Sequence, residues 1–600
     1  MACFPAPAFP LNLCTKSKIN NEKSNCSRAS VLLGTDQRSV LVRRRCICAK
    51  ETHPARPLAN FHHDIWGDRF LTLPHNGLAN EKESLEHEKR KEEVRRMIVE
   101  AITNPSRNLD LVDSVIRLGI SYHFEEEINE FMQKLVDNLD ECVTNNAENL
   151  HRISLCFRLL RQQGHRVSCE IFSNFTDEEG NLKEALISDD DRGGILSLYE
   201  AAHFRVHGED VLEKALSFSV AKLTSMANNE YPSSFFTAQI NHAMRFPIRK
   251  AHPRVHTRFY ISTYEHKPSH NSWLLRFSKL DFNVVQKQHQ MELTQVSRWW
   301  KEFDGERKFP YTRNRIVEIY FWMMLNYFEP KYGFGRVMTT KAIALTSVKD
   351  DTYDAYGTYE ELKLLTEAIE RWDPDMANQL PAGYIKNFYI ELLDLYCKIE
   401  EEMVAHGTSH NLQYVKEEVK RMAKAYFKEV EWAHKKYTPS LKEYMAESGL
   451  VTSGCRHVWT LALVGIVGEI VNKEVFEWLS STPKILEASS IICRYADDIP
   501  DYKFDEKRGN ISKAVECCMK QYEVASEEAI NMLSKQMDEA WKDMNEGCLS
   551  LPKSVPMSLV MPLINYVRLA PLFFHERDAY THPEDAKEFL NSILLDPIPY

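Results

Sequence analysis

The chain has 600 residues, a formal net charge of −11 and 44% hydrophobic residues. That length exceeds one ordinary core and predicts two domains, and the acid excess argues against a nucleic-acid partner, which would want a basic face. No run of about 18 apolar residues is present to span a bilayer, so a soluble chain without a membrane span is expected.

Residues 1–50 differ in kind. They hold nine Lys or Arg against two acids, Glu22 and Asp36, so the other 550 carry 66 basic and 84 acidic residues, net −18. Ser17, Ser24, Ser27, Ser30 and Ser39 are scattered among the basic residues. A basic, Ser-bearing, acid-poor leader reads as a transit peptide, processed near Arg43-Arg44-Arg45, and predicts a plastid rather than a cytoplasmic location. A plain disordered tail is the alternative. The 14 Cys show no paired Cys-x-x-Cys spacing and read as reduced intracellular thiols.

From Glu81 to about residue 260 the pattern is helix after helix, with no period-2 strands. Predicted helices cover 83–104, 109–118, 124–139 and 151–163, the last ending before Gly164. Gly193-Gly194, and Ser233-Ser234 after Pro232, mark turns. Asp189-Asp190-Asp191 runs into Arg192-Gly193-Gly194 and reads as a loop and helix start rather than a site. Pro268 followed by Ser269-His270-Asn271 reads as a loop. The expected organisation is therefore a leader at 1–50, an N-terminal helical domain at 51–269 and a C-terminal domain at 270–600. Trp299-Trp300 read as packing residues.

The second domain carries the chemistry. Arg313 and Arg315 stand two apart at a helix start, where they offer fork-shaped donors to phosphate oxygens. Residues 337–348 are apolar and lack Pro and Gly, predicting a core helix with Asp350, Asp351 and Asp354 near its end. Their spacing lets the three carboxylates converge on one helix face. Such a cluster repels itself, and a hard, oxygen-preferring cation, Mg²⁺ above all, relieves the repulsion. Gly357 reads as the stop, and Thr358-x-x-Glu361 as the capping box of the next helix. Thr452-Ser453-Gly454 interrupts another apolar helix, a site where a helix kinks and exposes carbonyls. Arg456 just beyond it is bulky and charged for a cavity wall. A second acidic set, Asp497, Asp501 and Asp505, is spaced i, i+4, i+8 on one side of a helix. Pro500 lies inside it and is expected to kink it at roughly 3 kcal/mol unless packing compensates.

On these motifs the chain resembles the plant terpene synthases of the class I, ionisation-initiated type. Asp350-Asp351-Thr352-Tyr353-Asp354 matches the family's Asp-Asp-x-x-Asp, Arg313-Asn314-Arg315 its Arg-x-Arg, and the 497–505 stretch falls where its second metal motif lies. Arg56-Pro57, Trp66-Gly67-Asp68 and Asp578-Ala579-Tyr580-Thr581-His582-Pro583 agree as well, so the resemblance runs from about residue 55 to the end. It departs at the second motif, where Asp501 replaces a neutral ligand and Asp505 a longer Glu.

The resemblance implies an all-α fold, with a class I helical bundle in the C-terminal domain and a relict α-barrel-like domain before it. No Asp-x-Asp-Asp motif is present, so no proton-initiated chemistry is expected. It also implies three Mg²⁺ per site, Mn²⁺ being the alternative ion, held by Asp350, Asp351, Asp354, Asp497, Asp501 and Asp505. Arg313, Arg315, Arg494 and Arg508 would grip a prenyl diphosphate. Trp322 would line the cavity floor, Asp578 and Tyr580 would form a lid-loop pair, and Phe573 a second aromatic wall. The protein would act as a monomer. The leader and Pro57 lean toward geranylgeranyl diphosphate, with farnesyl diphosphate second. A chain-elongating prenyltransferase and an inactive prenyl-lipid-binding paralogue are the rival readings, the former because Asp497-Asp498-Ile499-Pro500-Asp501 fits Asp-Asp-x-x-Asp literally.

Overall fold

Apolar residues at helical spacing, bounded by capping residues, build every long element. The computed structural model describes residues 61, 63–73, 81–183, 191–228, 235–267, 269–466, 468, 470–505, 512–575 and 577–599, with the backbone alone at 81, 228 and 503–505. The leader, Arg56-Pro57, Asp189, Asp190, Ser233-Ser234 and Arg508 lie outside these residues. Among the described residues there is no strand, only an isolated bridge between Thr176 and Leu182, and the architecture is all-α as expected.

The first four predicted helices appear as Glu81–Ala101, Leu109–Arg117, Glu125–Asp137 and Leu150–Gln162. Asn149 opens the last by accepting the Arg152 amide at 3.1 Å. Gly164 follows its end at φ +86°, a conformation open to glycine. Asp191 accepts the Gly194 amide at 2.7 Å and so caps the helix Arg192–Ala202.

In the second half, the helix Gly333–Ala355 is the central element. Arg336, fully buried, fastens it to the 32-residue helix Ser272–Phe303. Its Nε and Nη2 each donate to an oxygen of Glu292 at 2.8 Å, and its Nη1 donates to the carbonyls of Tyr327 and Glu329 at 2.7 Å. Tyr320 donates to the same Glu292 at 3.0 Å, tying in the helix Ile316–Asn326. Losing one member would leave a buried charge unpaired, at about 3–5 kcal/mol.

On another side, Gly333–Ala355 crosses the helix Cys455–Gly465 at two glycines. A Cβ on Gly335 would lie 2.7 Å from the Gly465 oxygen, and one on Gly465 would lie 2.6 Å from the Gly335 Cα. The backbones touch because neither residue has a side chain.

Gly333–Ala355 stops where expected, but for a different reason. Gly357 donates to the Thr352 carbonyl at 2.8 Å without adopting positive φ. Glycine is needed there because a Cβ would lie 2.4 Å from Leu362. The capping box forms: Thr358 N donates to Glu361 Oε2 at 3.1 Å and Glu361 N to Thr358 Oγ1 at 3.5 Å, starting Tyr359–Arg371. The predicted interruption also forms, as a π-type turn at Met445–Gly449, a short turn Leu450–Thr452, and Gly454 at φ +74°. Lys484–Asp505 stays helical through Pro500.

Two large apolar cores result. One is confined to the second half. The other joins the N-terminal helices to Val317, Phe321 and Leu325 and to Leu569, Phe573 and Leu594 near the C-terminus, so the two halves share a core.

Candidate active site

The helix Gly333–Ala355, the broken helix before Cys455 and the helix Lys484–Asp505 enclose a cavity of about 190 Å³. Asp350, Asp497, Arg313, Arg494 and Asp578 are among its polar wall, and Trp322, Tyr566, Phe574 and Tyr580 among its aromatic wall.

Arg313 organises one side of the mouth. Its amide and Nε donate to the two oxygens of Asp351 at 2.7 and 2.8 Å, and its Nη2 donates to Asp350 Oδ2 at 2.7 Å. Its guanidinium carbon lies 4.9 Å from the Tyr580 ring centroid. Arg315 is buried and turned elsewhere: its Nε donates to the Tyr580 carbonyl at 2.8 Å and its Nη2 to the Thr581 carbonyl at 3.2 Å. Asp578 grips the same loop through the amides of Tyr580 and Thr581, at 2.8 and 3.0 Å. Tyr580 OH then reaches Ser347 Oγ at 2.5 Å.

The opposite side is built from Lys484–Asp505. Arg494 bonds Asp497 and pairs with Asp498 Oδ1 at 2.6 Å. Asp501 pairs with Lys513 at 2.5 Å. Asp498 is buried away from the cavity, where its Oδ2 accepts from Tyr444 OH at 3.0 Å and from the Ala514 amide at 2.9 Å. Asp505 ends the helix, and only its backbone is described.

Electrostatically the cleft is short of positive charge. Burial pushes Asp351 up to about 6 against the pull of Arg313. Burial likewise pushes Asp497 up to about 7 despite Arg494, with Asp501 adding repulsion. Burial, opposed by Arg313, raises Asp578. Asp354, though its side chain reaches solvent, is raised by the crowded cleft and then by Asp350 and Glu429. Asp501 alone is lowered, because Lys513 outweighs its burial. Carboxylates raised above their ordinary range in one cleft suit it to a divalent cation, whose charge would relieve their repulsion.

The aromatic wall centres on Trp322, whose ring centroid lies 5.8 Å from Tyr580, 5.9 Å from Tyr566 and 6.0 Å from Phe574. Phe573 packs edge-on behind Trp322 at 5.1 Å and does not itself line the cavity. Arg456 also turns away, bonding Thr482 Oγ1 at 2.5 Å.

Sequence reasoning missed Glu429 and Lys513. Glu429 is buried, accepts from Ser448 Oγ, and is raised by burial. A signal existed, because it continues the Val415, Val419, Met422, Tyr426 stripe of the helix Leu412–His434 as an acid at a core position. Lys513 carries no local signal.

Residues 301–543 match the family described as "Terpene synthase family, metal binding domain", and residues 65–244 match "Terpene synthase, N-terminal domain". The chain is 45% identical over 546 residues to (-)-germacrene D synthase of Vitis vinifera, covering 91% of this chain and 96% of that one. It is 44% identical over 554 residues to a sesquiterpene synthase of Santalum austrocaledonicum, covering 91% and 97%. The crystal structure of isoprene synthase from grey poplar leaves, in complex with three Mg²⁺ ions and dimethylallyl-S-thiolodiphosphate, superposes with a TM-score of 0.80 at 30% identity, covering 87% of this chain and 98% of that one. An all-α metal-binding fold closed over an aromatic cavity defines a terpene cyclase-like lyase. The chain belongs to the terpene synthase family.

Proposed function

We propose that this terpene synthase is Mg²⁺-dependent and converts farnesyl diphosphate to a C15 terpene and diphosphate. The observation that carries the reading is a pair of facing acidic walls, Asp350 with Asp354 and Asp497 with Asp501, at the rim of an apolar, aromatic cavity. The sesquiterpene synthase relative favours a C15 chain over the C20 chain that the leader and Pro57 suggested.

Asp350, Asp354, Asp497 and Asp501 would hold magnesium, which when bound neutralises charge on the leaving diphosphate, whereas Asp351, expected as a ligand, is buried with both oxygens taken by Arg313, and the side chain of Asp505 lies outside the described residues. The chain's own residues do the rest. Arg313 and Arg494 present donors at the rim, aimed where the leaving oxygen gains charge as the carbon–oxygen bond breaks and its electron pair departs with the diphosphate. Arg315 and Asp578 clamp residues 580–581 from both sides, which keeps the lid loop closed and water out. Trp322, Tyr566, Phe574 and Tyr580 offer ring faces to the allylic cation, each worth about 1–2 kcal/mol once dry.

A chain-elongating prenyltransferase is disfavoured because both halves of the chain match terpene synthase family models.

Incubation with Mg²⁺ and C10, C15 or C20 prenyl diphosphates, read by diphosphate release and by analysis of volatiles, tests the reading. Fastest release from the C15 substrate is expected. Preference for C10 or C20 would overturn the chain length, and no release from any would overturn the reaction.

A further inference from the structure

Away from the cavity, side chains from three separate elements meet at one point. His87 comes from the helix Glu81–Ala101, His123 from the short turn Ser121–His123 and Asp281 from the long helix Ser272–Phe303. None of them lines the cavity. His87 Nε2 lies 2.9 Å and His123 Nε2 2.8 Å from the same carboxylate oxygen, Asp281 Oδ1. The three atoms fall within 4.8 Å of one another.

A pair of ordinary histidine–carboxylate bonds accounts for this poorly. Tyr122 OH also reaches Oδ1, at 2.8 Å, so three groups converge on an oxygen with two lone pairs. Oδ2, by contrast, is met by Tyr122 OH at 2.9 Å. The two imidazoles stand edge to face, ring centroids 5.4 Å apart, and both turn Nε2 to that one point. Two imidazole nitrogens and a carboxylate oxygen suit a first-row divalent cation of borderline softness, Zn²⁺ above all, and suit Mg²⁺ poorly because it prefers oxygen. A tetrahedral zinc ion about 2.0–2.1 Å from each ligand sets the ligand atoms about 3.3 Å apart, so these groups need to part by only about half an ångström. The side chains of His87 and His123 are 12% and 15% exposed, an opening by which an ion enters and water completes the fourth position. Tyr122 can then keep Oδ2 and hold the carboxylate in place, and Glu88 Oε1, 3.6 Å from His87 Nδ1, stands ready to accept from that nitrogen.

We propose that His87 Nε2, His123 Nε2 and Asp281 Oδ1 form a structural Zn²⁺ site, apart from the acidic cleft. On binding, the proton on each Nε2 moves to Nδ1 or leaves to solvent, and the freed lone pair bonds the ion. The ion staples two N-terminal elements to Ser272–Phe303. Arg254 is buried nearby and interacts with the charge of Asp281, so a fixed positive charge opposes the ion and the expected affinity is micromolar.

The test uses the full-length chain, stripped with a chelator and then kept in excess Mg²⁺ to fill the acidic cleft, as wild type, His87→Gln and His123→Gln. Glutamine retains a donor for Asp281. Equilibrium dialysis against micromolar Zn²⁺ reads the metal bound, Co²⁺ absorption reads the ligand geometry, and thermal unfolding reads stability. The wild type should bind one more Zn²⁺ per chain than either variant, and each variant should lose at least about tenfold in affinity. Co²⁺ in the wild type should show the intense visible absorption of a four-coordinate site, and Zn²⁺ should raise the melting temperature of the wild type alone. A cluster that only hydrogen-bonds would lower the melting temperature of the variants while the wild type took up no zinc, which would overturn the proposal. Equal zinc uptake by wild type and folded variants would overturn it too, as would a weak, six-coordinate Co²⁺ spectrum. Where one variant fails to fold the other decides, and where both fail the Co²⁺ spectrum of the wild type does. None of these readouts depends on the prenyl diphosphate reaction, so the two readings stand or fall separately.

Discussion

At the scale of single residues, Arg313 does three things that no other cation in the cleft combines. It forks across Asp350 and Asp351, donates its own amide to Asp351, and lies over the Tyr580 ring. A lysine keeps the charge but has neither the planar fork nor the stacking face. Arg313→Lys should cut turnover about 10–100-fold with little change in melting temperature. Steady-state rates and thermal unfolding measure both, and a near-normal rate would remove Arg313 from the reaction. The paired Asp and Arg residues were legible because each motif is local. Lys513 was not, since it meets Asp501 only through the folded packing, and Glu429 showed no more than an acid in an apolar stripe, its place at the cleft being set by packing.

At the scale of elements, the segment before Gly67–Phe70 is pinned to the helix that carries Trp322. Trp66 is buried and its indole N–H donates to Glu318 Oε1 at 2.7 Å, while Glu318 Oε2 is buried without a hydrogen-bond partner among the described residues. Burial, with Trp66 opposing, pushes Glu318 up to about 7. This folded value lies above the unfolded one near 4.3. The carboxyl's contribution to stability is therefore fully present below that lower value and is lost as pH rises through about 7, by about 4 kcal/mol at the limit. Glu318→Gln keeps an acceptor for Trp66 and carries no charge. It should be more stable than the wild type at about pH 8 and lose that lead below about pH 5. Thermal unfolding across the pH range checks this, and parallel curves would contradict it. Trp66 entered the sequence reading only through the family match, because a bond across 252 positions leaves no trace in local pattern. Elements whose logic is local were legible instead, among them the Thr358–Glu361 capping box and the break at Gly454. Gly357 sits between these cases: its place as a stop was readable, but its cause, the crowding of Leu362 five residues on, shows only in the folded turn.

At the scale of the whole molecule, the two helical halves are fastened by buried polar bonds as well as by the shared core. His252 Nε2 donates to the Leu325 carbonyl at 2.6 Å, Arg249 Nε to Asn545 Oδ1 at 2.7 Å, and Arg568 Nε to the Arg249 carbonyl at 3.0 Å. Asp281 on Ser272–Phe303 accepts from Tyr122 OH and His123 Nε2 at 2.8 Å and from His87 Nε2 at 2.9 Å. Burial alone would raise Asp281, but the bonds from His123 and His87 outweigh it and hold it well below the usual carboxylate range. Separating the halves would expose Phe321, Leu325 and Phe573 together. Residues 56–600 should therefore unfold in a single cooperative transition, although the length suggests two domains. Calorimetry with matched calorimetric and van't Hoff enthalpies would show this, and two resolved transitions would refute it.

The crossing of Gly335 and Gly465 touches no part of the cavity wall, yet it sets how far apart two of the walls stand. It acts as a spacer of zero thickness. A methyl added to either glycine meets backbone rather than a yielding side chain, so the helices must move apart, at about 1–3 kcal/mol. Gly335→Ala should then alter the proportions of products while every residue facing the substrate stays the same, which product analysis at equal conversion would reveal. Unaltered proportions would show that the walls absorb the shift elsewhere. A change of product would then need no change in any group that meets the substrate, only a thicker shim behind it.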